Sequence, residues 1–251
     1  MTIGERLWKA FNKALGKYQL IDEDDHILVG LSGGKDSLLL LEFLARRSKI
    51  HVPHFTVEAL HVRMDFARQQ PGQPSISTHY ETNTNYLQRF CDQLGIPLHI
   101  VTTSFDESPK PHTKQKPPCF LCSWERRKQL FNVAQEFHCT KIALGHHQDD
   151  IIHTALMNLT FQGHFSTMPA VLHMKKMPLA IIRPLCLCHE DDIRLYAEEH
   201  HYEKQLKLCP YERETNRTTA RELFARMEQL NPEARYCIWR ALESDNKLTE
   251  Y

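Results

Sequence analysis

The run Ser32-Gly33-Gly34-Lys35-Asp36-Ser37 places two adjacent glycines, an ammonium, a carboxylate and two hydroxyls between the apolar stretches Leu28-Val29-Gly30-Leu31 and Leu38-Leu39-Leu40-Leu41. A glycine pair lets the backbone turn tightly enough for several N–H groups to face one anion. With a strand before it and a helix behind it, the helix N-terminus adds roughly half a positive charge. Lys35 adds a whole one, so the chemistry is that of a polyphosphate cradle. The familiar loop G-x-x-x-x-G-K-[ST] fails at two positions: Val29 stands where its first glycine belongs, and Asp36 where its hydroxyl belongs. A carboxylate in that place suits a loop that holds Mg2+ or turns a triphosphate so that a different bond breaks.

Two further constellations carry chemistry. Gly145-His146-His147-Gln148-Asp149-Asp150 follows the apolar Lys141-Ile142-Ala143-Leu144 and leads into a helix, with Asp149 and Asp150 in its first turn. Carboxylates there cap the helix or meet a ligand. Cys119 and Cys122 are three apart at a helix start and share its face, and Lys114, Lys116, Arg126 and Arg127 nearby favour the thiolate. With Cys209 further on, three chemistries are open. Cys119 and Cys122 alone make a redox dithiol; His112, His189, Cys186 or Cys188 would complete a zinc site. Three cysteines on an iron–sulfur cluster leave one iron free. Cys186 and Cys188 otherwise read as buried free thiols.

These residues need a frame. Apolar positions Leu7, Trp8, Phe11 and Leu15 predict a helix over Glu5 to Tyr18, and an acidic turn, Asp22 to Asp25, precedes the first strand. Helices over 37–47, 80–94, 122–137, 149–159 and 190–200 then alternate with strands at 57–62, 98–101, 141–144 and 180–182. Two more helices, 218–229 and 232–242, follow. Alternation implies right-handed crossovers and an α/β, doubly wound, mostly parallel sheet with a helical N-terminal segment and a C-terminal appendage. The expected domains are 1–20, 21–203 and 204–251. Arg68 to Thr78, with Pro71, Gly72 and Pro74, reads as a loop. The chain of 251 residues is 41% hydrophobic, enough for one ordinary core. Its 31 basic and 31 acidic residues cancel, so a nucleic-acid partner would need a local patch: Lys110, Lys114, Lys116, Arg126, Arg127, Lys128, Arg213, Arg217 and Arg221 are candidates. No apolar run approaches the ~20 residues of a membrane span, and eight cysteines without a secretion signal point to a cytoplasmic protein.

Ser32 to Ser37 resembles the pyrophosphate loop of PP-loop ATPases, which split ATP between its α and β phosphates. Adding Cys119-x-x-Cys122, Gly145 to Asp150, Arg183-Pro184-Leu185 and the late Cys209, the order resembles the tRNA 2-thiocytidine synthetase (TtcA) family over about residues 15 to 225. That resemblance implies ATP-dependent thiolation of a tRNA cytidine at position 32. It implies ATP, Mg2+ and a 4Fe-4S cluster on Cys119, Cys122 and Cys209, and Lys35, Asp36 and Asp150 in catalysis. Ser32, Gly33, Gly34, Lys35, Asp36, Ser37, Gly145, His146, Asp149 and Arg183 would bind the nucleotide. Implied partners are tRNA, a cysteine desulfurase or other sulfur donor, and a second copy in a homodimer, with no membrane. Arg217 fits the family arrangement, whereas only Leu208-Cys209-Pro210 stands where many members carry a Cys-x-x-Cys pair. A lysidine-type ligase, a 2-thiouridine enzyme or a zinc-stabilised nucleotide-binding module are the alternatives.

Overall fold

The structure, a computed structural model, describes residues 1–64, 76–104, 117–205 and 216–250, without the side chains of 76–82 and 216–217. Its elements are α1 (Ile3–Lys17), β1 (Asp25–Gly30), α2 (Lys35–Arg47), β2 (Phe55–Met64), α3 (Ile76–Leu94), β3 (Leu98–Thr103), α4 (Pro118–Glu136) and β4 (Lys141–Ala143). There follow α5 (Gln148–Met157), one π-helical turn (Asn158–Gln162), β5 (Val171–His173), β6 (Ala180–Ile182), α6 (Glu190–Glu199), α7 (Asn216–Leu230), α8 (Ala234–Ser244) and β7 (Thr249–Glu250). The strands run in the order β3-β2-β1-β4-β6-β5-β7. The chain forms two compact units, one of residues 1–22, 143–201 and 213–251, the other of 23–142 and 202–212, and β4 spans the division.

In the second unit β1, β2 and β3 pair in parallel, with Asp25 opposite Phe55, Gly30 opposite Leu60 and Met64 opposite Thr103. Ile27, Leu28 and Val29 are wholly buried, the continuous apolar run that a strand covered on both faces requires. Leu38 to Leu41 are buried too, which fits a helix seated within the core rather than on its rim. At the opposite end of β1 the Lys141 ammonium meets Asp25 at 2.7 Å, and the Thr140 hydroxyl donates to the same carboxylate at 2.6 Å.

In the first unit α1 begins with a capping box: Glu5 N–H donates to the Thr2 hydroxyl at 3.2 Å, and Thr2 N–H to the Glu5 carboxylate at 2.7 Å. Leu7, Phe11 and Ala14 form its buried face. Tyr18 and Trp239 both donate to Glu243, at 2.7 and 2.9 Å, tying α1 to α8. β5 pairs antiparallel with β6 and parallel with β7, so the sheet is mostly parallel rather than wholly so.

Several boundaries shift from the sequence expectation. α2 starts at Lys35, with Gly34 as its N-cap, and α4 at Pro118, because proline without an N–H is suited to a first helical turn. Residues 76–78, expected in a loop, open α3, while 68–75 lie outside the described residues. β5 and β7, of three and two residues, are too short to show a sequence period. No helix among the described residues is long and apolar enough to cross a membrane.

Candidate functional site

The loop after β1 is stitched together by its own hydroxyls. Ser37 Oγ donates to the Gly34 carbonyl at 2.9 Å and accepts the Gly33 N–H at 3.2 Å. Its one proton is thus spent, so Ser32 Oγ is the donor in their 3.1 Å contact, while Ser32 also accepts the Gly34 N–H at 3.3 Å. Gly34 caps α2 without a side chain, and the Lys35 ammonium and Asp36 carboxylate lie 3.0 Å apart on its first turn. The entry to the loop is pinned by His61, whose Nδ1 lies 2.8 Å from the Leu31 carbonyl and must carry the proton. Burial lowers the His61 pKa, against the raising effect of that bond, and keeps the ring neutral.

Gly33 has φ +87°, and a Cβ there would stand 2.7 Å from Cγ of Gln205. Gln205 ends a strap held by the Tyr202 hydroxyl, which donates to Glu42 at 2.5 Å, and by the Tyr86 hydroxyl, which accepts the Glu203 N–H at 3.2 Å. It is the last described residue before the segment carrying Cys209. Gly33→Ala is expected to strain the loop by about 1–2 kcal/mol and displace Gln205. Binding of a polyphosphate in the loop should then weaken about tenfold, which titration of a fluorescent ATP analogue would measure.

Cys119 and Cys122 lie in the same unit, in the first turn and a half of α4, and neither is in a disulfide. The Thr103 hydroxyl, at the carboxyl end of β3, donates to Glu125 of α4 at 3.0 Å. Both cysteines precede Glu125 on that helix, so they sit at the carboxyl edge of the sheet, the edge at which β1 delivers Ser32 to Ser37. Two exposed or half-exposed thiols at a helix N-terminus are a soft donor pair suited to iron or zinc. Cys209, His112, Lys110, Lys114, Lys116 and Arg213, and the side chain of Arg217, lie outside the described residues. Cys186 and Cys188 are free and buried; burial raises both thiols, Cys188 to about 12, and leaves them inert.

In the first unit the segment after β4 divides its two carboxylates between different tasks. Asp149 is buried; it accepts the Glu190 N–H at 2.8 Å, capping α6, and meets the Arg235 guanidinium of α8 at 2.7 Å. Burial pushes its pKa up, but Arg235, the Glu190 N–H and His147 together hold it below the usual carboxylate value. Asp150 is more exposed and accepts the His147 N–H at 3.2 Å, closing the first turn of α5. Gly145 and His146 are half-buried. Arg183 is buried, bonds the Pro169 carbonyl and has its pKa lowered by burial to about 10; its Nε makes no hydrogen bond to a described group. Arg235 and His61 gave no signal in the sequence, since each acts through a partner far away in the chain. His153, on the same helix face as Asp149 and Asp150, was readable from spacing of three and four.

Residues 4–226 match the family model of the PP-loop domain. The chain is 34% identical over 242 residues to the tRNA-cytidine(32) 2-sulfurtransferase of Pseudomonas syringae pv. syringae (strain B728a), covering 96% of this chain and 84% of that protein. The U34-tRNA thiolase NcsA from Methanococcus maripaludis, solved with its 4Fe-4S cluster, superposes with a TM-score of 0.74 at 25% identity, over 99% of this chain and 80% of that one. The NH3-dependent NAD synthetase from Campylobacter jejuni, at TM-score 0.50 and 14% identity over 99% of this chain and 94% of that one, shares the fold. The loop built on Gly33 and Gly34 thus stands in a chain that belongs to the PP-loop family and, within it, to the family of tRNA-cytidine(32) 2-sulfurtransferases.

Proposed function

We propose that this protein uses ATP to adenylate the C2 carbonyl of a tRNA cytidine, at position 32, and replaces that oxygen with sulfur. The observation that carries this reading is the shared carboxyl edge of one parallel sheet, with the loop Ser32 to Ser37 after β1 and the two thiols of α4 beside β3. A carbonyl oxygen is a poor leaving group, so activation must come first. O2 of the base attacks the α phosphorus, the bond to the bridging oxygen breaks, and pyrophosphate leaves. The N–H groups of the loop receive the phosphates, and Lys35 stabilises the charge that develops on the departing pyrophosphate. Asp36 would hold Mg2+, which supplies neutralising charge to the triphosphate. Cys119, Cys122 and Cys209 would hold a 4Fe-4S cluster, which when bound supplies an iron open to an incoming sulfide. Sulfur then bonds to C2 and AMP departs with the former O2.

Gly145, His146 and Arg183 are further nucleotide contacts in this proposal. Asp150 would act in catalysis, and Asp149, held by Arg235 and the Glu190 N–H, would add a further nucleotide contact. Phe120 and Trp124 stand exposed one turn apart on α4, with Arg127 and Lys128 exposed one turn on, a surface able to stack bases and meet phosphates of the tRNA. A cysteine desulfurase, whose persulfide a thiol reductant cleaves to sulfide, or another sulfide donor supplies the sulfur, and two copies pair as a homodimer.

Anaerobic purification tests the reading. A brown protein with about four irons and four sulfides per chain is expected, and Cys119→Ser or Cys122→Ser should bleach it and stop thiolation while ATP still binds. A colourless protein with one zinc would sink the cluster assignment, and tRNA-dependent pyrophosphate release that survives in the Cys→Ser variants, with no thiolated product from the wild type either, would favour a lysidine-type ligase.

A further inference from the structure

Between α5 and α7 the first unit holds a polar cleft of about 190 Å3 lined, among the described residues, by Asp150, His153, Thr154, Thr218 and Arg221. His153 is only 8% exposed, yet its ring makes no hydrogen bond to any described group. What holds the ring is Phe224, edge-on with centroids 5.6 Å apart and planes at 71°, and the Arg235 guanidinium lies 4.9 Å from the same Phe224 ring. The imidazole is therefore fixed by packing, and its nitrogens are left for something that enters the cleft.

The lining selects what that is. Burial lowers the His153 pKa, with Arg221 in the same sense and Asp149, Asp150 and Glu190 opposing, so the ring is neutral and offers one donor and one acceptor. The Arg221 charge is partnered by Glu190 at 2.9 Å, and Asp150 places a carboxylate on the opposite helix, which disfavours a phosphate. A volume worth about six waters at ~30 Å3 each is below the ~300 Å3 of sites for drug-sized ligands, and suits one flat heterocycle. Cytosine presents an exocyclic amine beside a ring nitrogen and a carbonyl. A carboxylate accepts from that amine, while neutral imidazole and threonine hydroxyls serve the acceptors. Uracil would present a carbonyl to the carboxylate instead.

We infer that the α5–α7 cleft receives the flipped target cytosine of the RNA and that His153 reads its edge. The inference rests on the tRNA-thiolation reading above and adds the pocket and the residue that choose the base.

Binding of the full chain to an anticodon stem-loop RNA with cytidine or uridine at the target position, followed by fluorescence anisotropy, tests it. Wild type should prefer the cytidine RNA by about tenfold, the usual worth of one base contact, and His153→Ala should erase that preference without changing the affinity for an ATP analogue. Thr218→Val, on the exposed rim, should shrink the preference as well, and it decides the matter should His153→Ala fold poorly. A wild type that binds both RNAs equally, or variants that keep the full preference, would overturn the inference. A structural role alone would lower the melting temperature and weaken both RNAs alike. Thiolation is assayed separately: a base preference carried by His153 in a protein that forms no thiolated product would sink the proposed activity and leave the cleft as a base pocket.

Discussion

Lys35→Ala is expected to lower ATP-dependent thiolation by about 10²–10³-fold, the usual loss when one preorganised donor to a developing negative charge is removed. Chromatographic counting of 2-thiocytidine in tRNA, alongside pyrophosphate release, measures it. The fold should survive: Lys35 is on the first turn of α2 with 29% of its side chain exposed, and the loop is closed by Ser32, Ser37 and Gly34 without it. ATP should still bind, because loop N–H groups remain. The loss should therefore fall on kcat more than on KM. Lys35→Arg separates charge from shape. A guanidinium keeps the charge but spreads it over a planar fork, so partial recovery would assign Lys35 to charge stabilisation. Unchanged thiolation in Lys35→Ala would mean that the adenylation step is wrong as drawn.

Arg235→Ala should be strongly destabilising. It strips Asp149 of its ion-pair partner where only 10% of the carboxylate side chain is exposed. Breaking a buried pair from one side costs about 3–5 kcal/mol, and the remaining Glu190 N–H argues for the lower figure. For a chain of this size that is a fall of roughly 10 °C in melting temperature. Asp149→Asn with Arg235→Ala should cost less than the sum of the two, because neither single charge is then left buried alone. The pH dependence has a definite sign. Asp149 has its pKa lowered in the folded chain, so its contribution is present above the ordinary carboxylate value and is lost as pH falls through and below it. Acid titration of wild type and Arg235→Ala should show the difference between them shrinking below about pH 4. A constant difference down to pH 2 would contradict the pairing.

The chemistry of the loop was legible from residues alone because it is local. Six consecutive positions hold its glycines, its cation and the hydroxyls that stitch it, and their hydrogen bonds span five residues or fewer. The same holds for the helix face shared by Cys119 and Cys122, and for the alternation of buried strand and helix that implied a parallel sheet. Boundaries were less legible. Pro118 could have announced the start of α4 ahead of Cys119, whereas the short β5 and β7 exist only because partners such as Ile182 and Thr249 arrive beside Val171.

Asp149 and Asp150 are neighbours of one type in one motif, and no feature of the residues around them sets one apart from the other. Tertiary structure separated them, by bringing Glu190 and Arg235 to the first and leaving the second at a cleft. Gln205 over Gly33 and His153 against Phe224 are of the same kind. Spacing along the chain determines which groups can act together within a turn or a loop. Which side chain is satisfied by the fold, and which is left with a donor or acceptor for a substrate, depends on partners supplied from distant segments, and packing alone decided that.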